Sequence, residues 1–164
     1  MGSSSRHPLV SELARYGRLL EVGIGNRPAV ARAVAERGGD VVGIDVDVGE
    51  HTRRAERDAT TAAAPNGGSL RVIEGDIAAL AESERTELTS GEAPERGIDA
   101  VYARRLPAEL QRPTVDLAER LDADCLFTTL GFEEPVVPVT RRTLSGATLY
   151  VARDRDGGPP TDRR

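Results

Sequence analysis

A strand, a turn and a helix near the start of the chain carry groups suited to nucleotide binding. An apolar run that includes Glu21 leads into Gly23 and Gly25, and a helix is predicted directly afterwards. A second apolar run ends at Asp45, 20 residues after Gly25. Glycines let a ligand approach the backbone, a helix start offers unpaired N–H groups, and a carboxylate accepts hydrogen bonds from ribose hydroxyls. The spacing therefore predicts the first half of a nucleotide-binding βαβ unit.

Two departures narrow this prediction. Pro28 stands where a dinucleotide fingerprint has its third glycine, and Glu21 precedes the first glycine by two residues, where a cation is a better neighbour than a pyrophosphate. With Asn26, the pattern E-x-G-x-G-N resembles the first motif of class I, Rossmann-like methyltransferases. The resemblance implies that Glu21, Gly23 and Gly25 hold the methionine end of S-adenosylmethionine, with Asn26 among the cofactor-binding residues. The alternative is a tight turn that binds no ligand.

A third predicted strand, over residues 70–74, ends in Gly75 and Asp76. In a doubly wound sheet the carboxyl ends of the strands line the ligand crevice. Asp76 is then placed to accept a hydrogen bond from an adenine amino group, with Ile77 against the ring. An N-cap for a helix starting near Ile77 explains the same residue, and the two roles are compatible.

The fourth predicted strand, residues 97–102, runs into a polar loop. The acceptor-side candidates there are Tyr102, Arg105 and Glu109. The Asn/Asp-Pro-Pro-aromatic motif of amino-methylating nucleic-acid enzymes is absent from this position.

The segment 102–111 reads Tyr-x-x-Arg-x-Pro-x-Glu-Leu-Gln. Together with the methyltransferase-like start, it resembles the archaeal uncharacterised protein family (UPF) 0146 over about residues 9–152. The chain departs from that family's proline run at Leu106 and Ala108. The resemblance implies a shortened methyltransferase-like fold and defines no reaction.

The pattern predicts an α/β fold: a three-layer αβα, doubly wound, Rossmann-like sheet of the class I methyltransferase type. The remaining helices are expected at 8–17, 28–37, 51–61 and 113–121. Further strands are expected at 18–22, 40–45, 124–130, 136–141 and 148–152, the last two forming a closing β-hairpin around Leu144-Ser145-Gly146. The interval 131–135 cannot hold a helix, so the C-terminal part is shortened. One domain is expected over 8–153, with disordered ends at 1–7 and 154–164.

Composition limits the function classes. The 164 residues carry a net charge of -5, which argues against a broad nucleic-acid-binding face. Every cationic side chain is Arg, which suggests a GC-rich genome. One cysteine, no secretory signal and no long apolar run favour a cytoplasmic protein away from membranes. No Cys/His cluster with zinc-ligand spacing is present, so no metal is expected.

Two interpretations of function remain open at this point. The first is an S-adenosylmethionine-dependent methyltransferase whose acceptor, a small molecule or a macromolecule, is unidentified. The second is a non-catalytic module on a degenerate methyltransferase fold that binds a nucleotide, another adenosine-bearing ligand or a partner.

Overall fold

The computed structural model describes residues 8–61, 68–82 and 97–155. Within them the strands are β1 (Arg18–Val22), β2 (Asp40–Asp45), β3 (Ser69–Glu74), β4 (Ala100–Ala103), β5 (Asp124–Phe127), β6 (Thr140–Leu144) and β7 (Ala147–Arg153). The helices are α1 (Pro8–Leu13), α2 (Ala29–Glu36), α3 (Glu50–Thr61), α4 (Ile77–Glu82) and α5 (Ala108–Leu121).

The strands form a single sheet in the order β3-β2-β1-β4-β5-β7-β6. The first five strands in chain order pair in parallel, and β7 runs antiparallel to both β5 and β6. The order reverses between β1 and β4, which is the topological switch point where open α/β sheets bind ligands. The predicted doubly wound architecture is confirmed.

Helices cover both faces of the sheet. Leu19 and Val41 face a core made with α1, α2 and α3, whereas Leu20 and Ile44 face a second core made with α4 and α5. Successive residues of a strand point to opposite faces, so parallel strands covered on both sides read as continuous apolar runs. This explains why the strands were visible in the sequence.

The closing hairpin joins β6 and β7 through Ser145 and Gly146, as predicted, and Gly146 takes a positive φ of 77° at the turn. The expected strand 136–141 was wrong, because β6 begins only at Thr140. Pro138 lies in the misassigned stretch and has no N–H to donate to a ladder. The described residues between β5 and β6 hold no helix, as the sequence predicted.

The start of α5 differs from the predicted position, whereas the burial of Cys125 agrees with the prediction. Helix α5 begins at Ala108 rather than near Pro113, which lies inside it, and the extended Pro107 immediately precedes it. Cys125 is fully buried on β5, and burial raises the pKa of its thiol to about 12, which fits the small buried hydrophobe that was expected.

The expected disordered ends lie outside the described residues, apart from Asp154 and Arg155. The Arg155 N–H donates to Asp124 Oδ1 at 2.9 Å. In the described ranges no helix combines the length and apolarity needed to cross a membrane.

Candidate functional site

The turn after β1 is open toward the carboxyl edge of the sheet. Gly23 and Gly25 adopt positive φ angles of 77° and 52°, a region that side chains other than glycine disfavour. The Gly23 N–H donates to the Ile44 carbonyl at 2.8 Å, which ties the turn to β2. A Cβ placed on Gly23 would contact no described atom within 4 Å. The backbone here is therefore free for a ligand to approach.

Glu21, on β1, is completely buried. Its Oε1 accepts a hydrogen bond from the Tyr102 hydroxyl at 2.6 Å, whereas Oε2 lacks a hydrogen-bond partner among the described residues. Arg104 Nη2 approaches Oε2 at 3.5 Å, outside hydrogen-bond geometry. Burial raises the pKa of Glu21, and the Arg104 guanidinium and the Tyr102 hydroxyl oppose that rise. The site holds a carboxylate with one unsatisfied oxygen.

Asp45 ends β2 beside this turn. A Cβ on Gly25 would lie 3.3 Å from Asp45 Oδ2, so the missing side chain lets the two loops approach closely. Alternation along the strands places Asp45 and Glu21 on the same face, and the Asp45 charge contributes to the raised pKa of Glu21. The next residue, Val46, is 71% exposed, an apolar surface at the strand tip that the sequence interpretation did not identify.

Asn26 makes a contact within the chain. Its Oδ1 accepts a hydrogen bond from the His51 N–H at 2.8 Å, at the start of α3. A Cβ on Gly49 would lie 2.2 Å from Asn26 Oδ1, so this approach requires glycine. The Thr52 hydroxyl adds a bond to the Gly25 carbonyl at 2.7 Å. These contacts fix the glycine turn against α3.

Asp76 follows β3 and is exposed, and its Oδ1 accepts a hydrogen bond from the Ala78 N–H at 2.9 Å. It therefore serves as the anticipated N-cap of α4. Ile77 is buried in the core beneath α4 and α5. The Gly75 N–H donates to the Asp45 carbonyl at 2.9 Å, which brings the tips of β2 and β3 together. We call the tips of β1, β2 and β3, with the glycine turn, the glycine-turn side.

A cleft of about 620 Å³ opens on the other half of the edge, beyond the tips of β4 and β5. It lies between α1, the glycine turn and the closing hairpin, and we call it the arginine cleft. Its lining includes Arg27, Arg104, Arg105, Thr128, Phe132 and Tyr150. Arg104 lies at the boundary of the two regions, because its Nη2 also donates to the Arg27 carbonyl at 2.6 Å.

The predicted acceptor-side residues are divided by the structure. Arg105 lines the arginine cleft and is exposed. Tyr102 is fully buried against Glu21, and its burial, followed by the charge of the Glu21 carboxyl, raises the pKa of its hydroxyl. Glu109 is exposed in the first turn of α5 and does not line the cleft. Tyr102 thus donates to Glu21 from within the core. The other residues that line the cleft with Arg105 come mostly from distant segments of the chain.

Sequence reasoning missed several residues of these two regions. Val46 carried a weak signal, since an apolar residue directly after a strand-tip acid has no core to face. Arg27 and Phe132 carried none, because only the folded chain brings their loops to the same cleft. Within the described residues, no group of three or more His, Cys, Asp or Glu side chains is arranged to hold a metal ion.

Comparison with solved structures defines the class of fold. The chain superposes on an RNA methyltransferase from Salinibacter ruber in complex with S-adenosyl-L-homocysteine with a TM-score of 0.52, 20% identity and 88% of each chain covered. It also matches magnesium protoporphyrin IX methyltransferase from Synechocystis PCC 6803 with bound S-adenosylmethionine, with a TM-score of 0.54, 14% identity, and 87% and 74% of the two chains covered. The fold is the Rossmann-like fold of class I methyltransferases.

Sequence comparison gives the family. The model of the uncharacterised protein family UPF0146 matches residues 7–66 and 85–155. UPF0146 proteins from two strains of the archaeon Halobacterium salinarum are each 40% identical over 147 residues, covering 87% of this chain and 92% of theirs. This chain belongs to the UPF0146 family, and the resemblance noted in the sequence is confirmed.

Proposed function

We propose that this protein binds S-adenosylmethionine on the glycine-turn side and transfers its methyl group to an acceptor in the arginine cleft. Glu21 is the observation that carries the proposal. It is a buried carboxylate with an oxygen that lacks a donor, two residues before an open glycine turn. A buried acceptor without a hydrogen bond costs about 1–3 kcal/mol, and more when charged. A ligand ammonium supplies the missing donor.

The remaining groups fit the other parts of the same ligand. Asp45 accepts from the ribose hydroxyls, and Asp76 keeps a second oxygen for the adenine amino group while its Oδ1 caps α4. Val46 offers an exposed apolar surface to the ring, and Ile77 supports it from the core. Gly23 leaves the space that the methionine part needs. Both the charges and the space beside Gly23 suit a cationic adenosine derivative.

S-adenosylmethionine, when bound, supplies an electrophilic methyl group on a sulfonium centre. The chain then needs mainly to position the acceptor, since proximity and orientation supply much of the rate in such reactions. Arg104 lies between the two regions: its guanidinium is close to Glu21 Oε2 and donates to the Arg27 carbonyl. We expect it to give up its position beside Glu21 Oε2 to the ammonium, because 3.5 Å is a loose contact that a directly hydrogen-bonded donor displaces.

The same observation on Arg104 supports a second candidate function. Its guanidinium spans the boundary between the glycine-turn side and the arginine cleft. If it stays there when a ligand binds, the two regions remain separated and no methyl group can pass. The protein then acts as a non-catalytic sensor or partner-binding module for an adenosine-bearing ligand.

Ligand binding is tested by thermal unfolding in the presence of S-adenosylmethionine, S-adenosylhomocysteine and NAD. A specific ligand at 100-fold excess over Kd adds about 2.7 kcal/mol to the free energy of unfolding. We expect stabilisation by the first two ligands and none by NAD. Asp45→Ala should remove the stabilisation, whereas Asp58→Ala, an exposed acid on α3, should retain it. Equal stabilisation of both variants would contradict the ribose assignment.

Catalysis is tested separately by consumption of radiolabelled S-adenosylmethionine in an extract of cells lacking the protein. Label transferred only when the purified protein is added supports the enzyme. Binding by the thermal assay without transfer supports the sensor. Arg104→Gln tests the boundary itself: removing the guanidinium beside Glu21 should tighten ligand binding under either function, so the label transfer decides between the two.

A further inference from the structure

The arginine cleft has a composition that the cofactor proposal does not explain. Three guanidinium groups line it: Arg27 follows the glycine turn, and Arg104 and Arg105 lie in the loop after β4. Its carboxylates are Glu133 and Glu134, and Glu134 is ion-paired with Arg141 outside the lining. The cleft volume of about 620 Å³ lies within the range of small-molecule sites. The cleft is therefore sized for a small ligand and carries excess positive charge.

The positive charge is available to a ligand. Among the residues that the structure describes, none accepts a hydrogen bond or forms an ion pair with the Arg27 or Arg105 guanidinium, both of which belong to exposed residues. Arg104 Nη2 donates to the Arg27 carbonyl at 2.6 Å and lies 3.5 Å from Glu21 Oε2, while its buried Nε has no hydrogen-bond partner within the described part of the chain. Guanidinium groups pair best with planar or tetrahedral oxyanions.

Arg105 is presented to the cleft by an unfavourable backbone conformation. Its φ of 55° lies in the left-handed region, which a residue with a Cβ disfavours. The Thr128 side chain holds this conformation, because its Oγ1 accepts the Arg105 N–H at 2.9 Å. Asp122 is the other non-glycine residue with a positive φ in the described ranges, and it simply ends α5. Strain at Arg105 serves no helix end, which fits a residue held for binding.

An aromatic ring completes the composition. Phe132, which lines the cleft from the segment after β5, is fully exposed, with a relative exposure of 104%. Tyr150 forms part of the floor and is buried against Phe127. An exposed phenylalanine at the rim of a polar cleft offers one face for stacking against a planar ligand.

From these contacts we infer that the arginine cleft binds a small phosphate ester that carries a planar ring. The phosphate group lies among Arg27, Arg104 and Arg105, and the ring lies against Phe132. As the identity of a methyl acceptor, this inference rests on the proposed function. As a binding site it does not, because none of its contacts requires S-adenosylmethionine.

The test is a calorimetric titration at low ionic strength with phenyl phosphate, compared with inorganic phosphate and with phenol. Phenyl phosphate lacks adenine and so does not report on the glycine-turn side. We expect it to bind more tightly than either part alone. Phe132→Ala should weaken phenyl phosphate binding and leave phosphate binding unchanged. Absence of phenyl phosphate binding at millimolar concentration would overturn the inference.

Arginine variants locate the site. Arg27→Gln and Arg105→Gln should each weaken phenyl phosphate binding by about tenfold, since each removes charge-assisted hydrogen bonds. Arg71→Gln, on the far edge of the sheet, removes the same charge and should change nothing. Equal losses in all three variants would show a non-specific charge effect and would overturn the inference.

Folding and cofactor binding are controlled independently. Arg105→Gly removes the charge at a position whose φ suits glycine, so it should fold at least as well as the wild type and still lose phenyl phosphate binding. Asp45→Ala should bind phenyl phosphate normally even if it no longer responds to S-adenosylmethionine. Failure of one site and success of the other are thus distinguishable.

Discussion

The two halves of the carboxyl edge of the sheet differ in how far their polar side chains are bonded within the chain. On the glycine-turn side, most polar side chains already bond within the chain: Asn26 to α3, Asp76 to α4, Glu21 to Tyr102. In the arginine cleft, Arg27 and Arg105 bond to no described residue through their side chains. The first region is fixed and has one unsatisfied oxygen, whereas the second is open and has excess charge. A site whose side chains are already fixed suits a cofactor that is always the same. A cleft with unpaired charges suits a substrate that has to be bound and oriented.

This contrast also separates what the sequence could predict from what it could not. Gly23 and Gly25 follow β1 and Asp45 ends β2, and these adjacent strands are joined by one helix, so the spacing along the chain reports proximity in space. Arg27 and Phe132 are about a hundred positions apart and meet only through the sheet order and the closing hairpin. No local pattern could have placed them in one cleft.

The internal contacts of the glycine-turn side were equally hidden from the sequence. The register sets Tyr102 of β4 beside Glu21 of β1, a pairing that depends on the switch in strand order. Propensity alone would place a tyrosine at a strand tip toward solvent as readily as toward the core. The hairpin at Ser145 and Gly146 was predictable because a two-residue turn needs a positive φ, which glycine supplies.

The largest expected effect is on the fixed half. Glu21→Ala removes the acceptor of the Tyr102 hydroxyl and leaves Arg104 without its ion-pair partner. Leaving the buried Tyr102 hydroxyl without its acceptor costs about 1–3 kcal/mol of the free energy of unfolding, and the Arg104 charge left behind adds to that loss; denaturant titration measures the sum. Glu36→Ala, which removes an exposed pair with Arg32, should cost less than about 1 kcal/mol. Similar losses of unfolding free energy in the two variants would mean that the buried contacts of Glu21 add no more stability than an exposed ion pair.

Next in size is the contact between Asn26 and α3. Gly49→Ala drives a Cβ into the Asn26 side chain and breaks its bond to the His51 N–H. Loss of that cap costs about 0.5–2 kcal/mol. We also expect weaker binding of S-adenosylhomocysteine, because the glycine turn is displaced. Gly97→Ala is the control, since its Cβ would meet no described atom within 4 Å; an equal loss there would remove the steric argument.

The ionisation of Glu21 gives a smaller, pH-dependent effect. Because its pKa in the folded chain lies above the ordinary value of 4.5, the folded state binds the proton more tightly than the unfolded state. Its contribution to stability is full below that ordinary value and is lost as the pH rises through the folded pKa. Glu21→Gln should remove this loss, so its stability relative to wild type should rise with pH by at most about 1.4 kcal/mol per unit.

Urea unfolding of Glu21→Gln and wild type at several pH values between 4 and 8 measures this difference. Glu109→Gln, at an exposed position, should follow the wild-type profile. A Glu21→Gln profile parallel to wild type over the whole range would contradict a raised pKa.

The smallest effect compares exposed valines in the two halves. Val46→Ser should weaken S-adenosylhomocysteine binding about two- to tenfold, because a partly buried valine is worth about 1 kcal/mol against a ring. Val136→Ser changes a valine of similar exposure beyond the cleft and should leave that affinity unchanged. Neither should shift the melting temperature of the free protein by more than a degree or two. Equal affinity in both variants would remove Val46 from the adenine contact.

The most direct test of the whole account is an amide chemical-shift map of the ¹⁵N-labelled protein titrated with S-adenosylhomocysteine. We expect the amide signals of Gly23, Gly25, Val46 and Ile77 to shift together with a single dissociation constant, while those of the Thr128 to Phe132 segment shift little. Shifts confined to that segment, or no shift at millimolar ligand, would contradict a cofactor site at the glycine turn.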